Sequence, residues 1–555
     1  MKFSAETRKE NINQLSSEKL DLLIIGGGIT GAGLALQAAA KGVKAGLIEM
    51  QDFASGTSSR STKLVHGGLR YLKQFEVELV AAIAKERENI HHNAPHIVKP
   101  DKMLLPIYDE AGASFTEFSA EVALDLYDHL AELEGEWANE LISKEEVLKE
   151  NPMLREEGLV KGGLYLDYIN DDARLTIEIM KKATERGTLP VNYMKAIDYL
   201  YDDDKQIIGV IAEDQFTGDE IEIQAAVVVN ATGHWADQTI SMQKDIKSDR
   251  MYPSKGVHFV VDAKRLPLKE TIYVDTGLED NRMIFIVPRG DKTYFGTTDT
   301  PYDENLVEPD IFKDDIDYLL KAVNFRFPEA NLTIDDIETG WSGLRPLLLE
   351  EGATDPSMIS RSHEVFVSDQ GLVTIAGGKL TDYRLMAEDT FVAIEEELKE
   401  KIGAGYPAGD TQRLALSGGD LPAGMSMGDY TDKHLADGTA IGLSEAEARK
   451  LIEWYGTNSE QVFALKDGVK SDKLPLHLEL SLLYAMEYES TMTPIDFILR
   501  RTGILLFESE KVSEWKILIL DYMADHLQWD AERKGKEAKD LDEMIDYITL
   551  AKFRN

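Results

Sequence analysis

Apolar and polar positions along the chain fall into two periods. Leu22-Leu23-Ile24-Ile25 is apolar at every position and runs into Gly26-Gly27-Gly28. An unbroken apolar run of that length predicts a central parallel strand covered on both faces. The small-residue stretch Ala32 to Ala40 predicts a helix packed close to the sheet, and Ala45 to Ile48 a second buried strand. Helical spacing returns at Phe75, Leu79, Val80 and Ile83, within a helix predicted over 73–93. From Val191 to Asn230 the pattern shortens to strands separated by turns at Asp202-Asp203-Asp204 and Thr217-Gly218-Asp219. Residues 252 to 300 are strand-like again, with a hairpin of Met283 to Val287 and Lys292 to Thr297 across Pro288-Arg289-Gly290-Asp291. A strand over Leu372 to Ile375 leads into a long amphipathic helix, Asp382 to Ile402. Beyond Gly403 the chain is loop-rich to Ala423 and then helical, with a capping box at Ser444 and Glu447 and Thr493-Pro494 as N-cap and first-turn proline. Residues 1 to 18 read as a polar leader with a helical turn or two.

The elements predict an α/β (α+β) protein. A Rossmann-like dinucleotide-binding sheet, an antiparallel substrate sheet interleaved with it over 1–404, and a helical domain over 405–555 account for the pattern. There is no internal repeat and no low-complexity tract.

The candidate chemistry lies where strands stop. Gly26, Gly28 and Gly31 fit G-x-G-x-x-G, a turn bare enough for backbone N–H groups to approach a pyrophosphate at a helix start. Glu49 ends the second strand about twenty residues on, where a ribose hydroxyl is recognised, and favours NAD or FAD over NADP. The stretch from Phe53 through Ser58, Ser59, Ser61, Thr62, Lys63, His66 and Gly68 to Leu72 is dense in glycine, hydroxyl, histidine and arginine, which suits backbone lining a cofactor. Ala231-Thr232-Gly233 marks a return of the chain to the cofactor sheet. Within Gly343-Leu344-Arg345-Pro346-Leu347, Arg345 precedes Arg361 by sixteen residues, and Gly378-Lys379-Leu380-Thr381 forms a second strand–glycine–helix junction. His91, His92 and His96 read as a helix end and not as a metal site, because Pro95 breaks their alignment and no carboxylate completes a set. Arg500-Arg501 reads as a solvated or interdomain pair.

Charge and composition narrow the functions. Of 555 residues, 100 are acidic and 60 basic, a net charge of −40, so nucleic acid and polybasic membrane contacts are not expected. No run is long and apolar enough for a membrane helix, and no secretory h-region is seen at the start. The absence of cysteine removes disulfides, thiolate metal sites and a cysteine-linked flavin, and agrees with a cytoplasmic protein.

With these motifs assembled, the chain resembles the FAD-dependent glycerol-3-phosphate dehydrogenase and α-glycerophosphate oxidase family, and within it the oxidases of lactic-acid-type Gram-positive bacteria. Ser58 to Leu72, Lys255-Gly256-Val257-His258, Gly296-Thr297-Thr298-Asp299, Gly343 to Leu347 and Ala376 to Thr381 carry the resemblance. One segment departs from the oxidases: Leu347 to Arg361 is short, as in the dehydrogenases.

The resemblance implies FAD as cofactor and oxidation of sn-glycerol 3-phosphate at C2, a step of glycerol metabolism. Oxygen is the expected acceptor, giving hydrogen peroxide, and a quinone the alternative. Arg345 and Arg361 then suit the phosphate, with Arg70 and Tyr71 on the phosphate or hydroxyls. His258 is the first choice of base and His66 the second. Lys379, or the N–H groups near Leu380 and Thr381, would balance charge on the flavin, and Gly343 would line it. A homodimer stays open. An amine or amino-acid oxidase of the same fold, and a flavin-binding protein without catalysis, are the rival readings.

Overall fold

The computed structural model of the chain describes residues 2–69, 77–280, 282–349, 359–360, 362–403, 405–407, 409–470 and 473–554. Among them the strands form two sheets, of eight and eleven strands. Leu20–Ile25 lies at the centre of the smaller sheet, parallel to both Ala45–Ile48 and Glu220–Asn230. Leu372–Gly377 extends the parallel order on one side and Leu189–Val191 on the other. Leu22, Leu23 and Ile24 are fully buried, as the unbroken apolar run requires. The helix Ile29–Ala40 packs its alanines and Leu34 on this sheet, together with the helix Tyr383–Ile402.

The larger sheet is built on a long antiparallel pairing of Met251–Asp262 with Ile337–Leu349, in which His258 faces Trp341 and Ser254 faces Arg345. The hairpin Met283–Arg289 and Lys292–Gly296 sits where the sequence predicts it. Helices from Met427–Ala440 to Ala531–Ile548 follow. Leu482, Phe497, Leu505 and Met523 share a core with Leu105, Tyr165, Val260 and Trp341 of the larger sheet.

The first eighteen residues differ from expectation. Ala5–Ser17 is a thirteen-residue helix with a Ser4 capping box, not a leader of a turn or two. Its polar look hides one buried face of Arg8, Asn11 and Leu15. Arg8 donates to the carbonyls of Asn192 and Tyr193 and pairs with Asp214, so a charged residue works here as an interior one.

Candidate active site

A cavity of about 590 Å³ opens at the carboxyl ends of the parallel strands, where open α/β sheets bind their ligands. Gly26 has φ +113°, and a Cβ there would stand 2.4 Å from the Ala231 carbonyl oxygen. Only glycine fits this turn. The N–H of Gly27 donates to Glu49 Oε2 at 2.7 Å and that of Gln51 to Oε1 at 2.8 Å. Burial pushes the Glu49 carboxyl up, against the pull of these two bonds. The Ile29 N–H donates to Ser58 Oγ at 2.9 Å, joining the helix start to the polar loop.

That loop is pinned from beneath by Asp172, which is fully buried. Its carboxylate accepts from Ser61 N–H and Oγ (3.0 and 2.7 Å) and from Lys63 Nζ at 2.6 Å. Gly67 is fixed by Tyr127 and Asp167, which share Arg87, and a Cβ at Gly67 would meet the Tyr127 hydroxyl at 2.4 Å. His66 is thereby presented to the cavity. Burial lowers its pKa, opposed by Asp167 and reinforced by Lys379 and Arg87.

Of the residues singled out from the sequence, Gly26, Gly28, Glu49, Ser58, Ser61, Thr62, His66, Gly233, Arg345, Gly378, Lys379, Leu380 and Thr381 line this one cavity. Six do not. Gly31 packs on the turn itself, where a Cβ would lie 1.9 Å from the Gly26 oxygen. Ser59 and Lys63 turn inward, the lysine donating to the Ser59 carbonyl and pairing with Asp172. Gly343 gives room to Arg60, whose carbonyl oxygen would be 2.5 Å from a Cβ. Gly68 takes a left-handed turn (φ +74°) behind the wall.

His258, the first choice of base, is also behind the wall. Its Nε2 meets Thr62 Oγ1 at 2.9 Å and its ring stacks on Trp341 at 4.8 Å between centroids. Gly296 makes the space, since a Cβ there would stand 2.3 Å from the imidazole. Burial holds His258 well below the ordinary histidine range, with Arg345 and Lys63 adding to the effect. Arg70, Tyr71 and Arg361 lie outside the described residues.

Arg345 reaches the cavity from the antiparallel sheet. It pairs with Asp299 at 3.2 Å and donates to the Thr298 carbonyl at 3.1 Å. Lys379 follows Gly377 and Gly378, both at positive φ, and its N–H donates to Asp382 at 2.7 Å just before the helix.

Sequence reasoning missed part of the wall. Met50, Met194 to Ile197, Trp235, Gln238 and Met242 also line it, beside Ser55 to Thr57 of the stretch singled out from the sequence. Met194–Tyr201 reads as any exposed strand, and nothing in its composition marks it as a cofactor wall. Asp172 carried a usable signal, a third polar residue after Asn170-Asp171, but a helix N-cap explains that tract equally well. Of the two readings of the Arg500-Arg501 pair, solvated or interdomain, the structure excludes the first: both side chains are buried and pair with Asp52.

Among the described residues no group of three or more metal-ligating side chains converges, and no helix is long and apolar enough to cross a membrane.

A family model described as FAD dependent oxidoreductase matches residues 21–384, and one described as the C-terminal domain of alpha-glycerophosphate oxidase matches 409–534. The alpha-glycerophosphate oxidase of Streptococcus pyogenes serotype M6 is 46% identical over 600 aligned positions, covering 98% of each chain. The aerobic glycerol-3-phosphate dehydrogenase of Bacillus subtilis is 44% identical over 547 positions, again covering 98% of each. The solved glycerol-3-phosphate dehydrogenase of Bacillus halodurans, complexed with FAD, superposes with a TM-score of 0.83 at 39% identity, covering 99% of this chain and 98% of that one.

Proposed function

The chain belongs to the FAD dependent oxidoreductase family and carries its alpha-glycerophosphate oxidase C-terminal domain, and from that premise we propose that it oxidises sn-glycerol 3-phosphate at C2 to dihydroxyacetone phosphate. The observation that carries the reading is one cavity walled by a dinucleotide turn, a ribose-type acid, a histidine and two cations. The residues fit FAD. The glycine turn leaves no room for side chains, the helix Ile29–Ala40 points its N-terminus at the site, and Glu49 holds the second strand's end.

Bound there, FAD supplies a two-electron acceptor for a hydride from C2. His66 takes the proton of the C2 hydroxyl. It stands in the wall itself, and its lowered pKa keeps it neutral and able to accept. His258 supports Thr62 from behind and does not reach the cavity unaided. Arg345 receives the phosphate, which competes with Asp299 for the same guanidinium. Lys379 places a cation beside His66 and favours negative charge developing in the cavity.

Oxygen is the acceptor in this reading, giving hydrogen peroxide. A quinone is the second reading, and one observation favours it. The S. pyogenes and Lactococcus lactis oxidases align over 600 and 611 positions against 555 residues here, whereas the B. subtilis dehydrogenase aligns over 547. This chain therefore lacks residues those oxidases carry.

Oxygen uptake by the purified protein on adding sn-glycerol 3-phosphate, with peroxide assayed in parallel, tests both. Stoichiometric peroxide is expected. Bleaching that reverses slowly in air and quickly with a quinone selects the second reading, and no bleaching removes the substrate. Arg345→Ala should keep FAD bound while kcat/KM falls by about 10²–10³, the effect of removing one partner of a charged contact. The cytoplasmic location, the option of a homodimer and the division at residue 404 belong to the same proposal. Fractionation, sedimentation and limited proteolysis test them.

A further inference from the structure

The strand that ends in Glu49 does not hold its loop by itself. Three residues on, Asp52 is fully buried. Arg500 Nε donates to its carboxylate at 2.6 Å, Arg501 Nη1 and Nη2 at 2.7 and 2.9 Å, and Asn192 Nδ2 at 3.2 Å. The two arginines come from the helical region, 448 and 449 residues away in the chain. They sit on Asp496–Arg501, a widened turn in which Thr502 N–H bonds back to the Phe497 carbonyl five residues earlier. Such turns occur frequently at functional places in helices.

The contact reaches the cavity wall by two routes. The Glu49 carboxylate accepts from Gln51 N–H, immediately before Asp52. The Met194 N–H donates to the Glu49 carbonyl at 2.7 Å and the Tyr193 N–H to the Gln51 carbonyl at 2.8 Å, so the loop is tied to the wall from Met194 to Ile197. Tyr193 in turn donates its hydroxyl to Asp496 at 2.6 Å, on the same widened turn. Burial would raise the Asp52 carboxyl, but Arg501 and Arg500 overcome it and hold it below its usual range. A carboxylate kept ionised among two guanidiniums fixes the loop more tightly than neutral contacts could.

We propose that Asp52, Arg500 and Arg501 are positioning residues for FAD, and that through them the helical region sets the ribose-side wall of the cofactor site. The helical region is thus a working part of cofactor binding, although among the described residues it contributes no side chain to the cavity.

The test compares FAD dissociation constants, read by flavin fluorescence on re-titrating apo-protein, for the native chain, Asp52→Asn and Arg500→Lys. Arg326→Met serves as control, because Arg326 is equally buried, donates to the Asp275 carbonyl at 2.6 Å and lies on the helix Lys313–Arg326 against the other sheet. Asp52→Asn is expected to weaken FAD about tenfold or more, the scale of a coupling within one network. Its KM for substrate, once saturated with FAD, should stay within about twofold of native. Arg500→Lys should show a smaller loss. Combined with Glu49→Gln, the Asp52→Asn penalty should shrink, since both act on one loop. Unchanged FAD affinity in Asp52→Asn, alongside a loss of thermal stability equal to Arg326→Met, overturns the proposal. So do fully additive penalties with Glu49→Gln. If Asp52→Asn does not fold, Arg500→Lys alone decides on the same affinity measurement.

Discussion

Two strand–glycine–helix junctions end parallel strands of one sheet, with Glu220–Asn230 between them, and they are built for different work. At Gly26 to Gly31 the strand meets its helix through a turn closed against its own backbone and the Ala231 carbonyl. Glycine backbone and the helix start at Ile29 and Thr30 face the cavity there. At Gly377 to Thr381 two left-handed glycines widen the exit, Asp382 ties the Lys379 N–H, and the lysine side chain joins the wall. Around the second Cβ position the tight neighbours are the Sδ and Cε of Met386, which can move. The first junction therefore presents glycine backbone and a helix start, and the second adds a placed charge.

Substitutions that break the first junction should cost most. Gly26→Val forces a side chain into left-handed backbone and against Ala231, so FAD affinity should fall by roughly 10²–10⁴ and the protein should purify with little bound flavin, read by absorbance. His66→Gln leaves both junctions intact and should lower kcat by about 10²–10⁴ with FAD retained. For the native enzyme, kcat/KM should stay level at high pH and fall tenfold per unit below a break lying under the ordinary histidine value of about 6.5, because only neutral His66 accepts a proton. The His66→Gln profile should lack that limb. Lys379→Met should cost about 10² in kcat while flavin content stays native, which separates the side chain from the turn. Gly378→Ala is the mildest: a loss of about 1–2 kcal/mol in stability from its left-handed φ, measured by denaturant midpoint, with FAD still bound.

The first junction was legible because its demands are backbone demands, and glycine spacing records them directly. Glu49 and the second junction were legible for the same reason. The strands and the hairpin of the antiparallel sheet followed from periodicity. What stayed hidden was direction. Lys63 and His258 have the chemistry of site residues, yet Asp172 draws one inward and Trp341 stacks the other behind Thr62. A linear pattern cannot say which side of a wall a side chain takes when a partner far away in the chain decides it. The wall from Met194 to Ile197 was hidden for the opposite reason, since nothing in its composition marks it as a cofactor wall.

The opening helix has a practical reading for anyone who handles this chain. Leu15 rests where the bare face of Gly46 leaves space for it, and Arg8 grips the two carbonyls that lead into the ribose-side wall. Trimming the first seventeen residues as a disposable tail would strip a lining from the cofactor sheet. A purification handle belongs ahead of Met1 on a spacer, and a shortened version should be checked for flavin before it is checked for turnover.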